Sequence, residues 1–224
     1  MALIVRGESK QIRPNFNSSE FQQSWNKGYT LMDQQYNLSD RTLDAVQDVR
    51  TESGVGIIIT SSLRFPKHNK AVKGASSSRH LPRYNGGLEQ LEGVTPTGDA
   101  IDFKFKDQHI KGSEGHKAML DLQEKLLSDD WKSLPFIVSN GINGVGIYED
   151  FFHFDSRPSA PVRFGSLYKK KTLVGNVVEN YFGDGDDGVQ AVKPQLKKWL
   201  PAIIGAFLFV ALITGYLIYK KRKK

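Results

Sequence analysis

Three short polar strings constrain the fold of this chain more than any other feature. They are Ser78-Arg79-His80-Leu81, Gly98-Asp99-Ala100-Ile101-Asp102 and His153-Phe154-Asp155. The chain has no cysteine, so a bound transition metal can draw only on imidazole and carboxylate ligands. Two imidazoles and a carboxylate converging from these strings make a three-ligand zinc site. Such a site leaves its fourth position open to water, which is a hydrolytic rather than a structural arrangement. A fold of this kind must bring segments far apart in sequence onto one surface.

The 224 residues allow one domain of ordinary size with appendages. The net charge of +7 suggests a nucleic-acid partner until its location is read. Eight Lys or Arg and no acid lie from Lys193 onward, which leaves −1 over residues 1–192. The excess charge flanks an apolar run, Leu200 to Tyr219, of 20 residues without a charge. At ~1.5 Å per residue that run spans a ~30 Å hydrocarbon core, and Trp199, Tyr216 and Tyr219 stand near its ends as interfacial anchors do. The expectation is a C-terminal transmembrane helix in a lipid bilayer and no nucleic-acid partner. The basic tail favours an inner C-terminus, with the domain outside. Met1 to Pro14 holds no apolar segment of signal-peptide length, so no Sec-type signal is expected.

Along the chain, residues 1–15 read as a mobile or strand-like arm. A helix is expected from Phe16, with Phe21, Trp25 and Tyr29 at helical spacing, and a second from Ser39 to Glu52, where Leu43, Val46 and Val49 share a face. Strands are expected at Val55–Ser61, Ala100–Phe105, Phe136–Val138, Val145–Tyr148 and Phe151–Phe154, with a helix at His116–Leu127. This order predicts an α+β fold, a small antiparallel sheet with flanking helices. The domain is expected over 16–165, a stalk over 166–198, the membrane helix over 199–219 and a basic tail over 220–224. The acidic Gly183–Gly188 stretch reads as linker, since an EF-hand needs a later bidentate Glu and flanking helices.

Ile59-Thr60-Ser61-Ser62-Leu63-Arg64, His68-Asn69, Gly74, Ser78-x-His80, Gly98-x-Ala100-x-Asp102 and Gly146-x-Tyr148 leading to His153-x-Asp155 follow one another in order. As a set they resemble the zinc D-Ala-D-Ala carboxypeptidases, part of the wider hedgehog-type group that includes phage endolysins and bacterial cell-wall peptidases. The resemblance covers roughly residues 16–157. It implies zinc bound by His80, Asp102 and His153, and hydrolysis of peptidoglycan stem peptides. It also implies a base three residues before the last ligand, which is Asp150 here, with Glu149 adjacent. Asp155 is the rival, either as base or as a group that orients a ligand imidazole. Arg64 matches the arginine that binds a substrate carboxylate or polarises a carbonyl, and Ser78 is expected to hydrogen-bond near the metal. His68, His109 and His116 read as structural.

The sequence departs from the family string Ser-x-His-x-x-Gly-x-Ala-x-Asp in one respect. His80 and Asp102 are 22 positions apart because roughly Pro82 to Pro96 is inserted between the halves. The insertion reads as a lid or substrate-selecting loop. The alternative function is a non-catalytic, membrane-tethered module that binds cell-wall peptides and retains the zinc site.

Overall fold

Leu43, Val46 and Val49 recur at helical spacing behind Ser39, and in the computed structural model they form the buried face of a helix over Asp40–Ser53. The structure describes residues 1–29 and 34–168. In chain order the strands are β1 (Ala2–Val5), β2 (Gln11–Arg13), β3 (Phe16–Asn17), β4 (Gln35–Leu38), β5 (Ile57–Ser61), β6 (Thr97–Gly98), β7 (Ala100–Phe105), β8 (Gly144–Ile147), β9 (Phe152–Asp155) and β10 (Val162–Phe164). The helices are α1 (Gln23–Asn26), α2 (Asp40–Ser53), α3 (Pro66–Ala71), α4 (Glu114–Leu127) and α5 (Pro135–Val138), with 3-10 turns at Ser18–Phe21 and Trp131–Ser133. This is a mixed α+β fold with small sheets.

The main sheet has the order β10-β8-β9-β7-β5 and is antiparallel except for the β10–β8 pair. Side chains alternate across a strand, and here the alternation separates core from chemistry. One face carries Ile57, Ile59, Ile101, Phe103, Phe105, Val145, Ile147, Phe152 and Phe154, all in the hydrophobic core with residues of α2, α4 and α5. The other face carries Ser61, Asp102, His153, Gly146 and Phe164 as one row across all five strands. A second row, Ala100, Asp155, Gly144 and Val162, lies beside it. The small mixed sheet β1-β4-β6 leads through Gly98 into β7.

Phe103 is fully buried, its ring 5.1 Å from that of Phe154 and 5.5 Å from that of Phe152. Phe103→Ala leaves a cavity under the site-bearing strands and is expected to cost about 3–5 kcal/mol, measurable as a lower midpoint in urea unfolding with an unchanged slope.

Two expectations are corrected. Phe136–Val138 is not a strand but most of α5, because Pro135 occupies the first helical position, where its missing N–H and fixed φ suit a helix start. The Phe21–Trp25–Tyr29 stripe is not one helix but a 3-10 turn followed by the single turn α1, ending before Gly28 at φ 78°. The N-terminal arm contributes a strand, β1, paired antiparallel with β4.

The Pro82–Pro96 insertion has a built base. Arg83 and Thr97 exchange backbone hydrogen bonds of 3.0 and 2.9 Å, and Tyr84 and Gly87 exchange another pair. Asn85 and Gly86 have φ of 50° and 89°, the two positive values a tight primed hairpin turn requires. Residues 85–93 are exposed. Among the described residues no helix is long and apolar enough to cross a membrane. The Leu200–Tyr219 run and most of the expected stalk lie outside the described residues.

Candidate metal centre

The row on the sheet's second face delivers Asp102 from β7 and His153 from β9 as direct cross-strand neighbours. His80 arrives from the loop after α3, held by Arg64 N–H donating to its carbonyl at 2.7 Å. The three side chains are buried and present one ligand atom each to a common point. His80 Nε2 lies 3.0 Å from Asp102 Oδ1 and 3.1 Å from His153 Nδ1, and His153 Nδ1 lies 2.8 Å from Asp102 Oδ1.

Hydrogen bonds on the far side of each ring fix the tautomers. His80 Nδ1 faces the Ser62 carbonyl at 2.6 Å, an acceptor only, so Nδ1 carries the proton and Nε2 offers a lone pair. His153 Nε2 donates to Asp155 Oδ2 at 2.9 Å, so Nδ1 offers the second lone pair. Asp102 Oδ1 is the third. Neutral imidazoles thus leave three acceptors facing one another with no donor among them, an arrangement that needs a cation at its centre. Bonds of ~2.0–2.1 Å in a tetrahedron place ligand atoms about 3.3 Å apart, so the triangle needs only slight expansion to hold zinc.

Without metal, one proton takes the cation's part. Burial opposes charge on His153, but hydrogen bonds to Asp102 and Asp155 outweigh it and raise its pKa to about 9. Burial lowers that of His80. Burial also resists ionisation of Asp102, yet the charge and hydrogen bonds of the two imidazoles hold it far below the usual carboxylate range. A raised imidazole pKa stabilises the folded state below the unfolded value of about 6.5, and that stability is lost as pH rises through about 9. Chelated protein is therefore expected to melt at a lower temperature at pH ~9.5 than at pH ~6.5. Its metal affinity should rise over the same window, since metal must displace the His153 proton. Thermal scans and metal titrations across that range check both.

The remaining expected residues take distinct places. Asp155 is fully buried behind His153, on the far ring nitrogen. Arg157 grips it with Nε on Oδ1 at 2.8 Å and Nη2 on Oδ2 at 2.6 Å. Burial works against the Asp155 charge, but Arg157 and then His153 keep it strongly depressed below the carboxylate range. Arg64 donates through Nη2 to Asp102 Oδ2 and through Nε to Ser61 Oγ at 2.8 Å, so in this structure it holds the ligand carboxylate. Ser78 Oγ accepts from the His80 backbone N–H at 3.3 Å.

Asp150 is exposed in the β8–β9 connection and makes no hydrogen bond to the cluster among the described residues; its carbonyl accepts from Gln108 at 2.6 Å. His68 is buried, bonded to Ser24 Oγ at 2.8 Å and stacked on Tyr29.

Arg157 and Gly144 went unread in the sequence. A Cβ on Gly144 would overlap the Asp155 carboxylate, and one on Gly146 would lie 2.8 Å from His153 Cβ. The available signal was Gly-x-Gly on one strand facing His-x-Asp on the next.

Residues 14–117 match the family model described as Peptidase M15. The matched stretch contains Arg64, His80 and Asp102, and His153 follows it. Comparison with curated proteins and with solved structures returned no significant match. The match covers 104 of the 224 residues and is a likeness to that family. M15 peptidases are zinc-dependent, and the buried His80–Asp102–His153 group is one that can bind a metal.

Proposed function

We propose that this protein is a zinc metallopeptidase that hydrolyses peptide bonds of bacterial cell-wall peptidoglycan, with D-alanine-containing stem peptides as substrates. The observation that carries the reading is the triangle of three mutually facing lone pairs at 2.8–3.1 Å. The likeness to Peptidase M15 over residues 14–117 supports this reading.

His80, Asp102 and His153 would hold the zinc. When bound, zinc polarises a carbonyl and lowers the pKa of a coordinated water towards about 7. The protein's own groups do the rest. Asp155, fixed by Arg157, keeps the His153 proton on Nε2 and its lone pair on the metal side. Arg64 orients Asp102, and its side chain, 18% exposed, suits it to meet a substrate carboxylate as well. Asp150 carries the proton from water to the leaving amine; its connection lies beside the ligand strand, and catalytic contacts often tighten only with substrate present. Asp150→Asn is expected to lower kcat about 10²- to 10⁴-fold with metal content unchanged.

The exposure of Asp150 favours the second reading, a tethered module that binds wall peptides without cutting them. Incubation of purified sacculi with the protein separates the two. Release of new amines, suppressed by chelator, supports the peptidase, and mass spectrometry of the muropeptides identifies the bond. Bound but unaltered sacculi would replace the peptidase with the module. Attachment to a bilayer through residues 200–219, at a bacterial envelope or in a phage virion membrane, belongs to the same proposal and rests on that run's length and flanking charge.

A further inference from the structure

Charge in this chain is segregated along the sequence. Residues 53–88 contain six Lys or Arg (Arg64, Lys67, Lys70, Lys73, Arg79 and Arg83) and no Asp or Glu. Removing these six from residues 1–192, whose net charge is −1, leaves −7 on the remainder. Residues 156–178, with five Lys or Arg, and 193–224, with eight, are also free of acid, whereas α2 mixes Asp40, Arg41, Asp44, Asp48, Arg50 and Glu52 and α4 mixes Glu114, Lys117, Asp121, Glu124 and Lys125. Of the three one-signed stretches, 53–88 is the one that carries a residue of the metal centre, His80.

The fold roots that stretch at the metal centre. The chain leaves β5 at Ser61, makes α3 and returns to His80, and the excursion is closed at its base by the Arg64 N–His80 O hydrogen bond. Its guanidinium groups are engaged: Arg64 on Asp102, Arg79 on Asp99, and Arg83 on the Ser77 and Ser78 carbonyls. Its ammonium groups face out. Lys67 and Lys70 are exposed one helical turn apart on α3, where such a spacing shares a face, and Lys73 is exposed just beyond. None of the three forms an ion pair among the described residues. Lys27, also exposed, joins the same neighbourhood with Nζ 3.4 Å from His68 Nε2 on α3.

We propose that Lys67, Lys70 and Lys73 form a docking surface for a carboxylate-bearing polymer on the same excursion of chain that carries His80 to the metal centre. Its identification with the peptide-bearing wall polymer rests on the peptidase reading; the existence of the surface does not. Charge complementarity selects the occupant. Compact ammonium charges without exposed aromatic rings suit scattered carboxylates better than stacked bases, since Phe65 and Tyr84, the segment's two rings, are buried. Cations gathered on the rim of a site raise the local concentration of an anionic substrate and speed its capture, an effect screened by salt.

The test compares the full-length chain in nonionic detergent with K67Q/K70Q/K73Q, which leaves the cations of 193–224 in place in both. Retention on poly-L-glutamate resin and on sacculi is measured at about 50 and about 300 mM salt. Wild type should be retained about tenfold more strongly at low salt than the variant, and carbodiimide amidation of the sacculi should erase the difference. Zinc content must be equal in the two proteins, and on cleavable wall peptides the variant should raise KM with kcat unchanged. Equal retention of the two proteins on poly-L-glutamate, or a difference between them that persists on amidated sacculi, overturns the proposal. So does a larger difference between wild type and variant on anionic phospholipid vesicles than on poly-L-glutamate, since residues 193–224 are the same in both proteins. Loss of cleavage with the resin difference intact removes the peptidase reading and leaves the surface standing.

Discussion

Replacing His153 by alanine is expected to abolish zinc uptake and hydrolysis together. The substitution deletes one corner of a three-corner site, and two ligands do not hold zinc against water in a site built for three. It also removes the proton carrier that balances Asp102 and Asp155 in the metal-free state. Asp102 then keeps Arg64 and His80, and Asp155 keeps Arg157, without the imidazole that bridged the two carboxylates. Breaking a buried ionic cluster on one side costs about 3–5 kcal/mol, so a lower melting temperature is expected in the absence of metal. The diagnostic quantity is the response to zinc. A ligand present at about a thousand times its Kd stabilises the folded state by about 4 kcal/mol; wild type should show such a shift and His153→Ala none. A variant that retains the zinc-induced shift would place the metal elsewhere.

Gly144→Ala is expected to damage the same site from the neighbouring strand without touching a ligand. Gly144 faces Asp155 across the β8–β9 pair, and an added methyl would overlap both carboxylate oxygens. Those oxygens lie under the strand with no solvent to move into, so the carboxylate must leave His153 Nε2 or the strands must part. Either outcome frees the imidazole to rotate and to place its proton on Nδ1. Loss of such a partner typically lowers metal affinity about 10- to 100-fold. Asp155→Asn should fall in the same range by a different route, since its amide nitrogen can donate to Nε2 and force the wrong tautomer. Competition with a fluorescent chelator measures both. Affinity equal to wild type in both variants would reduce Asp155 and Arg157 to packing.

The absence of cysteine restricted the ligand types to imidazole and carboxylate, and the resemblance of the ordered motifs picked out His80, Asp102 and His153, which the structure groups together. Strands β7 and β9 were legible through their alternation, and α2 and α4 through apolar residues at helical spacing. What stayed hidden depends on pairing across the sheet. Gly144 gains its meaning only when the register sets it opposite Asp155, and Arg157 only when its side chain bonds back to the Asp155 carboxylate. Arg64 was expected to face substrate, but a contact with Asp102 Oδ2 spans 38 positions and leaves no local signature. Pro135 defeated the strand reading of Phe136–Val138, since three apolar residues fit a buried strand and a helical turn equally well.

Crystals of the zinc-loaded protein, recorded above and below the zinc absorption edge, give the most direct test of the central claim. A single anomalous peak is expected about 2.0–2.2 Å from His80 Nε2, His153 Nδ1 and Asp102 Oδ1. A peak at any other ligand set, or none in protein that carries stoichiometric zinc, would contradict it.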